Sequence, residues 1–186
     1  MSLKQIVTLL AMTGLAACAT SPPPTQQSAA RLKLCDTRVS NAPQTDRRGY
    51  IVEFAPFKQV RGVSVARAPV AACLSSGFGP RRGGAGRLHK GIDLFTGEPR
   101  AIIAAAPGRI IEVGRQRGFG RTVLIRHRNG VTTRYAHLSS FAPDVREGAR
   151  VPAGAVIGRT GQSGNATAIH LHYEILVDGN AVNPLR

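Results

Sequence analysis

The sequence has no tryptophan, three cysteines, and 10 acidic residues against 25 basic ones in 186. No stretch carries a sustained helical heptad, which argues against a coiled coil or a helical bundle. No apolar run has the length of a membrane-spanning helix. The scarcity of acids leaves a formal charge of +15 and implies anionic surroundings: nucleic acid, acidic phospholipid or a carboxylate-rich polymer. What is plentiful is glycine (21) and proline (12), the punctuation of short strands and turns. The length suits one core-bearing domain with appendages, and no internal repeat is visible.

The N-terminus narrows the compartment. Met1-Ser2-Leu3-Lys4 followed by the apolar run 6–17 has the form of a secretory signal. Its end, Leu15-Ala16-Ala17-Cys18, resembles the lipobox of bacterial lipoproteins. That resemblance implies removal of residues 1–17, lipidation of Cys18 and, with Ala19 rather than aspartate following, an outer-membrane address facing the periplasm. Nucleic acid is then excluded as a partner. Residues 18–48 read as the lipidated end and a linker, with Pro22-Pro23-Pro24 in a flexible tether. Residues 49–68 form an N-terminal extension whose stretch 50–54 is expected to be the first strand. Cys35 and Cys73 remain as an even pair in an oxidising compartment, and a disulfide between them is expected.

From residue 69 to 186 the pattern predicts one mainly β domain of antiparallel sheets. Strands are expected at 91–95, 101–104, 108–113, 122–127, 132–138, 156–160 and 170–176, separated by turn signals such as Asn129-Gly130 and Asp178-Gly179. Ser76-Gly77-Phe78-Gly79-Pro80-Arg81 reads as a turn, residues 82–87 as a basic glycine-rich loop, and 139–144 as the one place for a helical turn.

Three stretches carry chemistry. In His170-Leu171-His172-Tyr173-Glu174 a strand period of 2 puts both histidines and Glu174 on one face. His89-Lys90-Gly91-Ile92-Asp93 reads as a loop entering a strand, where an imidazole and a carboxylate can converge on one borderline ion such as Zn²⁺. In Tyr135-Ala136-His137-Leu138 the same period groups His137 with Tyr135 and Thr133. His127, at a strand end, is expected on the surface.

The order His-x-x-x-Asp, Tyr-Ala-His-Leu, His-Leu-His-Tyr-Glu resembles the LytM/lysostaphin-type zinc endopeptidases of bacterial peptidoglycan. The resemblance spans roughly residues 69–186, including the turn at 76–81. It implies antiparallel sheets forming an open groove and one Zn²⁺ per chain on His89, Asp93 and His172. His137 and His170 are implied as catalytic neighbours. The implied reaction is hydrolysis of a peptide cross-link by attack of a zinc-bound water, with His170 expected as base and His137 as oxyanion donor. The implied partners are peptidoglycan, the membrane through the lipid on Cys18, and regulatory cell-wall proteins, the chain itself being a monomer. A non-catalytic wall-binding protein or activator of another hydrolase is the alternative. The chain departs from the family at Thr167-Ala168-Ile169, where a small residue, glycine and proline commonly precede the His-x-His pair.

Overall fold

A computed structural model describes residues 30–81 and 88–186. The expected signal, Cys18 and the loop 82–87 lie outside the described residues, which contain strands and turns and no helix. The strands are β1 (Phe57–Val60), β2 (Val63–Ala66), β3 (Cys73–Ser76), β4 (Gly79–Pro80), β5 (Leu88–His89), β6 (Ile92–Phe95), β7 (Ala101–Ile103) and β8 (Gly108–Gln116). They continue as β9 (Gly120–Arg126), β10 (Val131–Leu138), β11 (Ser140–Phe141), β12 (Arg150–Val151), β13 (Val156–Arg159), β14 (His170–Val177) and β15 (Asn180–Val182).

The main sheet runs β12-β8-β9-β10-β14-β6-β3, with β15 also paired to β14, and all its pairings are antiparallel. A smaller sheet, β11-β13-β7, supplies Ile102 and Ile157 to the same core as Ile92, Leu94, Ile110, Val123, Ile125, Leu171, Tyr173 and Ile175. Each buried aliphatic side chain there contributes roughly 1.5–3 kcal/mol. Alternation along the strands puts these residues on one face of the main sheet and leaves His170, His172 and Glu174 on the other. Tyr135 and Tyr173, directly opposed across β10 and β14, pack with ring centroids 5.4 Å apart. Their hydroxyls are satisfied: the Ala105 amide donates to Tyr135 Oη, and Tyr173 Oη donates to the Ala66 carbonyl.

Three expectations change. Residues 50–54 form no strand: Tyr50 and Ile51 make isolated bridges, and Glu53 sits at φ 56° in a turn. The hairpin β1–β2 follows instead. Residues 139–144 form no helical turn, because Ser140 and Phe141 pair with Arg159 and Gly158. His127 is buried rather than on the surface. Its Nδ1 lies 2.9 Å from the Pro107 carbonyl and its Nε2 2.8 Å from Thr133 Oγ1, partners that the strand pattern around it does not reveal.

The N-terminal segment lies along the outer edge of β3. Leu34 bridges Leu74 and Ser40 bridges Ser76, both parallel, and Cys35 is bonded to Cys73 in a disulfide. The Ser40 carbonyl accepts from the Gly77 amide at 2.8 Å. Only glycine fits at 77, since a Cβ there would stand 2.1 Å from the Asn41 carbonyl oxygen.

Candidate metal centre

Antiparallel pairing of β6 with β14 sets Asp93 directly opposite His172, and both face away from the core. His89, at the end of β5, returns to the same spot. The close approach depends on Gly91, where a Cβ would stand 2.3 Å from the Tyr173 carbonyl oxygen and 3.0 Å from His172 Cε1. Three atoms converge as a result. His89 Nε2 is 3.1 Å from Asp93 Oδ1 and 3.2 Å from His172 Nδ1, and His172 Nδ1 is 2.8 Å from Asp93 Oδ1.

The partners on the far side of each ring decide what those atoms carry. His89 Nδ1 lies 2.7 Å from the Gly77 carbonyl, an acceptor, so Nδ1 holds the hydrogen and Nε2 a lone pair. His172 Nε2 lies 3.1 Å from Glu174 Oε1 and donates to it, which leaves Nδ1 as the lone-pair nitrogen. Two lone pairs and a carboxylate oxygen thus face one another in a buried site. Only a proton or a cation placed among them satisfies all three. Ligands about 2.0–2.1 Å from a tetrahedral zinc stand about 3.3 Å apart, close to the separations found here. His89, Asp93 and His172 are therefore positioned to bind a metal, and the donor set of two imidazoles and one carboxylate suits zinc.

The electrostatics agree. Burial by itself would lower His172, but the Asp93 and Glu174 carboxylates on either side outweigh it and push the ring up to about 8. Burial would raise Asp93, yet its two imidazole neighbours hold it well below the usual carboxylate range. The outer oxygens of both carboxylates are occupied. Arg81 Nη2 donates to Asp93 Oδ2 at 2.9 Å, and Arg134 Nη1 donates to Glu174 Oε2 at 2.6 Å. Arg134 also lies over the Phe119 ring, 4.5 Å from its centroid, and Phe119 in turn packs against His172. Sequence reading singled out neither Arg134 nor Phe119. Arg134 meets Glu174 only through the register of β10 against β14, which the sequence alone does not disclose.

His137 and His170 complete the cluster, with ring centroids 4.8 Å apart. His137 does not follow the strand period that grouped it with Tyr135. One extra residue in β10 between Tyr135 and Leu138 forms a bulge, with His137 at φ 65°, so its ring turns to the metal side while Leu138 becomes core. A non-glycine residue in this region costs about 1–3 kcal/mol, strain that concentrates at functional sites. The His137 amide donates to the Phe119 carbonyl, and its Nδ1 lies 2.8 Å from the Ser163 carbonyl. Burial first, and then the neighbouring imidazoles, hold this ring down at about 4. His170 Nδ1 lies 2.8 Å from the Ala168 carbonyl, and its Nε2 stands 3.8 Å from Asp93 Oδ1. The unusual turn Thr167-Ala168-Ile169 thus fixes the tautomer of His170 directly. It is tied down by the Ile169 carbonyl, which accepts from the Thr96 and Gly97 amides.

Residues 87–184 match the profile of peptidase family M23. The chain belongs to family M23. Among curated M23 relatives, it is 48% identical over 99 residues to the DD-carboxypeptidase/endopeptidase Mpg of Neisseria meningitidis serogroup B, covering 53% of this chain and 22% of that protein. It is 37% identical over 125 residues to the murein hydrolase activator NlpD of Escherichia coli, covering 67% of this chain and 31% of that one. The M23 chain described here thus spans less than a third of either relative. Among solved structures, a zinc-containing peptidase from Vibrio cholerae superposes with a TM-score of 0.61 at 28% identity, covering 70% of this chain and 45% of that one. The catalytic domain of lysostaphin from Staphylococcus simulans superposes with a TM-score of 0.55 at 31% identity, covering 61% and 89%. The all-β architecture is that of the LytM/lysostaphin fold.

Proposed function

We propose that this M23 chain is a zinc-dependent endopeptidase that hydrolyses peptide cross-links of bacterial peptidoglycan. The observation that carries the reading is the pair of histidine Nε2 atoms beside three converging ligands, each Nδ1 being engaged by a backbone carbonyl. Zinc on His89, Asp93 and His172 would lower the pKa of a water and polarise the scissile carbonyl. His170 Nε2, facing the Asp93 carboxylate, takes up a proton and returns it to the leaving amine. His137, held with its hydrogen on Nδ1, presents a lone pair. Donation from its Nε2 to an oxyanion therefore requires that it first gain a proton. The lipobox adds a location to the proposal: the periplasm, with Cys18 lipidated and anchored in the outer membrane. A D-alanyl–meso-diaminopimelyl bond is the leading target at that address.

A second reading, an activator of another wall hydrolase, is favoured by the similarity to NlpD. Digestion of purified sacculi with chromatographic analysis of the released peptides separates the two. The enzyme reading expects release by the zinc-loaded chain and none after chelation or in His172→Ala. Release that survives both treatments contradicts it, and a zinc-loaded chain that releases nothing alone but stimulates a second hydrolase supports the activator.

A further inference from the structure

The face of the main sheet that carries the metal centre also carries a row of arginines at its far edge. Antiparallel register sets Leu176 of β14 opposite Thr132 of β10, Thr132 opposite Arg126 of β9, Arg126 opposite Arg109 of β8, and Arg109 opposite Arg150 of β12. Residues in register point to the same side of a sheet, and Leu176 shares its side with His170, His172 and Glu174. Arg126, Arg109 and Arg150 therefore stand side by side, exposed, on the side of the metal centre. Like charges directly opposed across strands destabilise a sheet. Among the described residues none of the three forms an ion pair. Arg109 is anchored by Nη1, which donates to the Gly148 carbonyl at 2.7 Å.

We propose that Arg126, Arg109 and Arg150 form a binding strip for the carboxylates of the same peptidoglycan strand whose cross-link reaches the metal centre. The inference rests on the endopeptidase reading above. The strip lies four residues along β14 from His172 and two to four strands across, roughly 15–25 Å away. An extended peptide covers that span in about five to seven residues, so one cross-linked stem peptide can engage both places. A membrane is the poorer fit. A flat bilayer resting on this row would also lie over the metal centre on the same face and shut the polymer out.

The test reads binding, not cleavage, and uses the full chain with His137→Ala so that digestion does not intervene. Sedimentation with purified sacculi is compared for Arg109→Gln/Arg126→Gln/Arg150→Gln and for Arg38→Gln/Arg47→Gln/Arg48→Gln. The second set removes the same charge from exposed positions of the N-terminal segment. The first set should bind roughly tenfold more weakly, what three exposed ion pairs supply together, and the second should bind nearly as the parent does. A row of Arg→Lys replacements keeps the charge and should retain most of the binding. Sacculi with amidated carboxylates should bind the parent as weakly as native sacculi bind the first set. Equal losses in the two glutamine sets, or a loss seen only on phosphatidylglycerol vesicles, would overturn the proposal. Because no bond is broken in the assay, its failure leaves the proposed hydrolysis standing, and absent hydrolysis leaves the binding result standing.

Discussion

Glu174 accepts a hydrogen bond from His172 Nε2 at 3.1 Å, and this contact turns the lone pair of His172 Nδ1 toward Asp93 and His89. Glu174 is fully buried and is itself held by Arg134. The tautomer of His172, one of the three residues positioned to bind a metal, thus depends on a residue two positions along the same strand.

Replacing Glu174 by glutamine puts an amide where Arg134 and His172 both require an acceptor. Zinc affinity should fall about 10–100-fold, the usual cost of losing a carboxylate behind a ligating histidine. Competition with a chromophoric chelator measures this, and an affinity unchanged within about twofold would show that Glu174 does not support metal binding by His172.

His137 is expected to matter for chemistry and not for metal. In His137→Ala the release of peptides from sacculi should drop by about 10²–10⁴, the usual contribution of a positioned acid or base. Zinc should bind as in the parent. Parallel losses of both would show instead that the bulge at Tyr135–Leu138 holds the ligands in place.

The Cys35–Cys73 bridge closes a loop with a sequence separation of 38, worth about 4 kcal/mol in the chain-entropy model. Cys35→Ser/Cys73→Ser should lower the urea midpoint accordingly. An unmoved midpoint would mean that the segment contributes nothing to the stability of the sheet it borders.

His127 supplies a pH dependence away from the metal. Burial lowers its pKa, partly opposed by the Pro107 carbonyl. With Nδ1 donating to the Pro107 carbonyl at 2.9 Å, Nε2 is left as an acceptor facing Thr133 Oγ1 at 2.8 Å, so this buried site suits the neutral ring. Since the native ring binds a proton less readily than the unfolded one, the unfolded state is protonated first. Its contribution to stability is present above the ordinary value of 6.5 and is lost as pH falls below it. Melting temperatures between pH 7.5 and 5 should fall more steeply for the parent than for His127→Gln. Identical slopes would contradict this.

The three side chains positioned to bind a metal were readable as a group because each lies in a short local pattern: a histidine four residues before an aspartate, and two histidines sharing a strand face. Strand pairing then does the rest, since His172 meets Asp93 through ordinary antiparallel register. The place of His137 was not readable in the same way. A period of 2 holds only while each residue opposes one partner, and the extra residue in β10 reverses the face at the position that matters. The surface position expected for His127 fails for a related reason, because Pro107 comes from another segment and only the folded chain brings it near. The N-terminal segment gave the poorest reading. Its bridges run parallel to β3, with no alternating pattern of their own to announce them.

Titration calorimetry of zinc into metal-free protein interrogates the His89, Asp93 and His172 site itself. One zinc should bind per chain, with the binding abolished in His172→Ala while the fold persists. Absence of binding in the parent, or equal binding in parent and variant, would contradict this reading of the site.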